Sequence, residues 1–168
     1  MENTKELHLK KTSLVGQLVA SPLKFKLYLM QKLPLALVAG LRVEQFNGSI
    51  SEVSVPYKFI NKNPFHSVYF APLSMAAELS SGLLAMDAVS RSPVPVSMLV
   101  LEMKAEFIKK AKTRIRFKST DGDTIAEAVL QCVKGNEGRT VVVATDGLDD
   151  DGNLVARFWF TWTFKRKQ

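Results

Sequence analysis

Apolar and polar positions change period several times along the chain, and each change marks a predicted element. The first forty residues read as helices. Ser21 before Pro22 is an N-cap followed by proline at the first helical position, and Pro34 is a stop. Between them Leu23, Leu27 and Met30 share a face with Phe25 and Leu29 nearby, while Lys24, Lys26 and Lys32 supply charge. A basic amphipathic segment of this kind can lie on a membrane, but packing over a sheet edge or a partner subunit is the commoner use. Asn47-Gly48 then predicts a type I′ turn between strands 41–46 and 49–59, with Val53, Val55, Tyr57 and Phe59 on one face. Pro56 lacks a ladder donor, which places that strand at an edge or gives it a bulge.

Pro72 begins a helix predicted over 72–89 and ending before Pro93 and Pro95. Leu73, Met75, Ala76, Leu79, Leu83, Leu84, Met86 and Val89 surround its axis, the pattern of a buried helix. Strands follow at 96–107 and 113–120, joined by a basic turn at Lys109-Lys110. Glu102, Lys104 and Glu106 alternate against Arg114, Arg116 and Lys118, which predicts cross-strand ion pairs on one face. Thr124 with Glu127 matches a capping box for a short helix that Gly135 ends. Two last strands are read at 140–145 and at the alternating Ala156, Phe158, Phe160, Trp162 and Phe164, with the acidic loop Asp149–Asn153 as a turn. That loop lacks the glutamate and flanking helices of a calcium site. With most connections antiparallel and one long helix interrupting the sheet, the fold class is α+β: a curved antiparallel sheet of about six strands wrapped around a helix.

Composition narrows this further. With 168 residues the chain forms one core, so a single domain over 1–168 is expected, a helical extension at 1–40 leading into a core at 41–168. No uncharged stretch reaches the roughly eighteen apolar residues of a membrane span. The polar N-terminus does not suit a signal peptide, and the lone Cys132 has no internal disulfide partner, so a cytoplasmic location is expected. The net charge of +7 is concentrated: residues 1–42 hold seven Lys or Arg against Glu2 and Glu6, and residues 104–118 hold seven against Glu106. Such patches suit a polyanion, whether nucleic acid, an anionic membrane or the phosphates of coenzyme A, or they simply keep the surface solvated. Nucleic acid is disfavoured because no aromatic stacking pattern accompanies the basic strands.

The most informative stretch is 63–78, NPFHSVYFAPLSMAAE. Between Ala71 and Met86 the only ionisable side chain is Glu78. A carboxylate in an apolar setting costs several kcal/mol unless it is paired, hydrogen-bonded or hydrated. Glu78 is therefore the first catalytic candidate, and Ser74, Ser81 and Gly82 neighbour it at helical spacing as a small, polar stripe. The competing account makes Glu78 a structural carboxylate bonded to Ser74, Ser81 or backbone amides. Asn63 before Pro64 is equally a turn residue, Tyr69 equally a packing residue, and His66 reads as a loop residue.

A sheet wrapped round a long helix resembles the hotdog fold, and this stretch resembles the signature of phenylacetate-pathway-type acyl-CoA thioesterases. In that family an Asn is followed six residues on by His-Gly-Gly and fifteen residues on by a helical acid. Here Asn63, Tyr69-Phe70-Ala71 and Glu78 occupy those places. The likeness in fold covers about residues 40–165 and the motif only 63–78. Residues 1–40 and the helix at 124–134 are closer to an uncharacterised hotdog branch related to those enzymes. The family's His is Tyr69, its glycine pair Phe70 and Ala71, and its Asp Glu78.

The resemblance implies thioester hydrolysis with Glu78 as base or nucleophile and Asn63 and Tyr69 beside it. The helix mouth at Phe70 and Ala71 would meet the oxyanion. Lys109, Lys110 and Lys112 would meet the phosphates of coenzyme A. It also implies a homodimer or dimer of dimers with the site shared between chains. No cofactor beyond coenzyme A within the substrate is implied, and the sequence has neither metal-ligand spacing nor a dinucleotide loop. The alternative is an acyl-CoA, fatty-acyl or lipid-binding protein that keeps the pocket without the chemistry.

Overall fold

The computed structural model describes residue 9, residues 13–135 and residues 137–167. Lys5, Lys10 and Lys11 of the basic N-terminal stretch lie outside them. Three helices, α1 (Leu14–Val19), α2 (Pro22–Lys32) and α3 (Pro34–Ala39), precede strands β1 (Arg42–Phe46) and β2 (Ser51–Val55). The long helix α4 (Phe70–Ser90) follows, then β3 (Val96–Phe107), β4 (Ile115–Ser119), α5 (Gly122–Lys134), β5 (Arg139–Leu148) and β6 (Leu154–Arg166). The six strands form one antiparallel sheet in the order β1-β2-β4-β5-β6-β3.

The sheet closes on α4 because both surfaces carry the residues this requires. Phe158, Phe160, Trp162 and Phe164 alternate inward from β6, joined by Val53 and Val55 of β2 and Ile115 and Phe117 of β4. Against them α4 sets Ala76, Ala77, Ser80, Gly82, Ala85 and Ala88, small enough to bring the helix close, with Leu83 and Leu84 filling the layer between. Helix α5 seals the flank with Ile125, Val129 and Cys132, all fully buried.

Local chemistry bears out several predicted boundaries. Ser21 caps α2 by accepting from the Lys24 N–H at 3.4 Å, with Pro22 inside the first turn. Helix α4 starts at Phe70, two residues before Pro72, whose missing N–H falls among the first-turn donors that lack partners in any case. Other details differ. Only Gly48, with φ of 88°, has positive φ in the β1–β2 turn, while the Asn47 side chain accepts from the N–H groups of Ser49 and Ile50; the turn is an Asn-capped loop instead of type I′. Strand β2 stops before Pro56, and Phe59, 92% exposed, lies in a 3-10 turn off the sheet face. The capping box does not form. Asp121 holds the N-cap position of α5 without a side-chain cap bond, and Gly135 ends the helix in extended geometry.

The largest correction concerns β3 and β4. They are not a hairpin: β3 pairs only with β6, and β4 lies between β2 and β5. Four of the six charges expected to meet across them find other partners. Lys104 reaches Glu106 along its own strand at 3.1 Å, Arg114 stands 3.7 Å from Glu44, and Arg116 bonds Asp150 at 2.6 Å.

Candidate functional site

Two acids sit on α4, and the helix treats them differently. Asp87 is fully buried, accepts a hydrogen bond from the Ser13 hydroxyl of the α1 cap, and pairs with Arg91 at 2.9 Å. Glu78 is half-buried, and its carboxylate has no hydrogen-bond or ion-pair partner among the described residues. Burial alone pushes its carboxyl above the ordinary glutamate value. The serines that would have made it structural are engaged elsewhere. Ser74 donates to the Phe70 carbonyl at 2.9 Å, and Ser81 donates to the Glu78 backbone carbonyl at 3.2 Å while accepting from the Trp162 indole at 3.1 Å.

Gly82 lies one turn on, beside the carboxylate. A Cβ there would stand 3.1 Å from Glu78 Oε1 and 3.5 Å from the Trp162 ring, so the glycine leaves the space in which the acid folds along its own helix. Beyond Glu78 opens a cavity of about 330 Å³, walled by Met75 and Leu79 of α4 and by Lys32, Leu33, Leu35 and Ala36 of the α2–α3 corner. Tyr28 is close enough for Glu78 to act on it: burial, then the Glu78 charge, pushes its hydroxyl above the ordinary tyrosine range. That hydroxyl lies 3.7 Å from the Met86 sulfur.

Sequence reasoning missed this wall. Lys32, which lines the cavity, and Tyr28, which the Glu78 charge reaches, are one helical turn apart, a spacing that marks a shared side of α2, but nothing in the sequence says which element that side meets.

The helix mouth is a second locus. Asn63, Tyr69, Phe70, Lys109 and Lys110 line one cleft of about 560 Å³, with Leu73, Phe107 and Ile108 as apolar neighbours. Lys112 is exposed outside that lining, and Lys109 lies 3.9 Å from Asp149. Tyr69 and Phe70 are 45% and 52% exposed and meet edge to face, their centroids 4.6 Å apart. The first turn of α4, including Ala71, has no side-chain cap, which leaves its N–H groups and the positive end of the helix dipole facing this cleft.

Asn63 is occupied by its own loop. Its Oδ1 accepts from the Phe65 and Ser67 N–H groups, and its Nδ2 donates to Ser67 Oγ at 3.0 Å. The neighbouring Asn61 is the buried asparagine, donating to the carbonyls of Ala39 and Pro56 and so tying this loop to the N-terminal helices. His66 is an exposed loop residue with φ of 57°.

Within one chain these loci do not meet. Glu78 lies eight residues into α4 from Phe70, about 12 Å along the axis, and it lines a different cavity from Asn63, Tyr69 and Phe70. No group of three or more potential metal ligands occurs among the described residues.

Comparison with known proteins agrees with this architecture. A protein of unknown function from Pseudomonas aeruginosa, described as a probable thioesterase, superposes with a TM-score of 0.71 at 20% identity, over 88% of this chain and 97% of its own. A protein of unknown function from Chlorobaculum tepidum gives 0.73 at 16% identity, over 86% and 93%. A thioesterase from Haemophilus influenzae gives 0.64 at 12% identity, over 94% of each chain. No curated protein matches. The family described as a domain of unknown function, DUF4442, matches residues 23–164, almost the whole of the helix-wrapping unit. The chain therefore belongs to the DUF4442 family and has the hotdog fold.

Proposed function

We propose that this protein hydrolyses acyl thioesters, with Glu78 as the base that activates water or as the nucleophile. One observation carries the reading: a half-buried carboxylate without a partner among the described residues opens on a mainly apolar cavity, on the central helix of a fold shared with proteins described as thioesterases. Its raised pKa brings the carboxyl nearer the neutral range in which a general base works best. An acyl chain fits against Met75, Leu79, Leu33 and Leu35, and Lys109 and Lys110 at the other cleft suit the phosphates of coenzyme A.

The separation of the two loci sets a further condition. Reacting groups must come within about 3–3.5 Å, so Glu78 of one protomer would act at the helix mouth of a second, and the working unit is a homodimer or a dimer of dimers. A reducing compartment such as the cytoplasm suits the lone, buried Cys132.

The test is thiol release from a panel of acyl-CoAs. Glu78→Gln is expected to lower kcat about 10²- to 10⁴-fold, the range supplied by a positioned general base. Because only the ionised carboxylate accepts a proton, wild-type kcat/KM is expected to rise with pH through a midpoint above the ordinary glutamate value.

A second reading, acyl-CoA binding without turnover, draws on the helix mouth: Tyr69 and Phe70 stand where the thioesterase signature has histidine and glycine, and their rings flank the N–H groups that a thioester carbonyl must approach. Saturable acyl-CoA binding with no thiol release from wild type or variant would select that reading and reject hydrolysis.

A further inference from the structure

Helix α2 buries one side and leaves an apolar stripe on the other. Phe25 and Leu29 pack into the core at 6% and 1% exposure, whereas Leu23, Leu27 and Met30, at i, i+4 and i+7, remain 68%, 48% and 54% exposed. Such a stripe on a helix already anchored by its opposite face needs a partner of its own. Lys24 and Lys26 are exposed on either side of it. On α3, Leu35 and Val38 add apolar surface at 72% and 52% exposure.

The charge around this stripe is of one sign. No acidic residue occurs between Glu6 and Glu44. Beside the stripe opens a cavity of about 760 Å³, whose wall includes Leu23, Lys26, Arg42, Lys58 and Arg114 against the single carboxylate of Glu44. An apolar ridge flanked by cations and backed by a cationic cleft is complementary to a surface that is apolar inside and anionic outside. A second copy fits less well, because a two-fold contact through this face would set the lysines of one α2 against those of the other.

We propose that α2 docks on an anionic lipid bilayer. Leu23, Leu27 and Met30 enter the boundary between headgroups and acyl chains, while Lys24, Lys26 and the cleft cations hold lipid phosphates. The proposal goes beyond thioester hydrolysis and does not depend on it. It also gives the α2–α3 corner a reason to be apolar, since Leu33 and Leu35 of that corner form the lip of the Glu78 cavity.

The test is flotation of the full chain with phosphatidylcholine vesicles and with vesicles of equal phosphatidylcholine and phosphatidylglycerol. Binding is expected to the anionic vesicles alone and to fall steeply with added salt. Leu27→Glu with Met30→Glu, and separately Lys24→Glu with Lys26→Glu, are each expected to weaken it roughly tenfold or more, with helical circular dichroism and thermal midpoint retained because all four side chains are exposed. Glu78→Gln is expected to float like wild type, so loss of hydrolysis and loss of docking are separately visible. Absence of binding at low salt, or equal binding by the variants, overturns the proposal. So does dissociation of the stripe variant into smaller species on sedimentation with vesicle binding intact, which would assign the face to contact between copies.

Discussion

Glu78 and Asp87 lie nine residues apart on α4, on opposite sides of the helix, and neutralising each is expected to act in opposite directions. Asp87 accepts from Ser13 and pairs with Arg91 in a buried setting, so Asp87→Asn leaves the α1 cap and the guanidinium short of an acceptor and is expected to destabilise by about 1–3 kcal/mol. For Glu78 the sign reverses. Its folded carboxyl holds its proton to a higher pH than the ordinary value of 4.5, so between those two values the folded state binds more protons than the unfolded one. Stability conferred by this residue therefore falls as pH rises through that window and stays low above it. Glu78→Gln removes the penalty: thermal melts are expected to show the variant more stable than wild type at neutral pH, with the advantage gone below the unfolded carboxyl's range. Equal melting at neutral pH would mean the acid is better solvated than its surroundings imply. Glu78 was legible in the sequence as the one charge in an apolar run, but its environment was not, because its cavity wall comes from residues more than forty positions upstream.

At the scale of elements, the seating of α5 on the first hairpin depends on a glycine. A Cβ at Gly122 would fall 2.2 Å from the Gly48 carbonyl oxygen and 2.6 Å from Ser49 Cα, which are backbone atoms with no rotamer to yield. Gly122→Ala is expected to destabilise by about 1–3 kcal/mol as the helix start is pushed off the turn, readable in denaturant unfolding. The equivalent change at Gly152, which has open space around it but φ of 81°, carries only the local backbone penalty. These contacts also explain which elements could be foreseen. Helix α4 announces itself as a long apolar run between prolines, and strand β6 by its sustained alternation. The pairing of β3 does not, because neighbours in sequence are the natural first guess, and the structure inserts β4 between β2 and β5. A usable signal was present in length: β3 has twelve residues and β6 thirteen, so they can pair almost throughout, whereas β4 has five and matches β2. The capping box failed for a related reason. Helix α5 begins at Gly122, where it meets the turn, upstream of the residues that would cap it most readily in isolation.

The two edges of the sheet set what the whole molecule can do. Strand β1 is a blunted edge, five residues long, irregular between Val43 and Gln45, and bearing Arg42 and Glu44. Strand β3 is the opposite: twelve residues with one side unpaired among the described residues, and Leu99 and Leu101 each 63% exposed, Met103 47% and Phe107 53%. A long, apolar, unpaired edge is an invitation to another strand, and an antiparallel contact of β3 with its own copy satisfies both edges at once around a two-fold axis. Phe107 also lines the cleft at the mouth of α4, so this contact would place the partner chain against that cleft, as the proposed action of Glu78 at a partner's helix mouth calls for. Leu99→Lys with Leu101→Lys sets like charges against each other across such an axis while burying nothing new in the single chain. The expected result is a sedimentation coefficient falling from dimer to monomer, retained helical circular dichroism, and loss of acyl-CoA hydrolysis together with the dimer. A monomeric variant that still hydrolyses would show that Glu78 works within its own chain; a wild type that sediments as a monomer at micromolar concentration would show that β3 does not pair with a second copy.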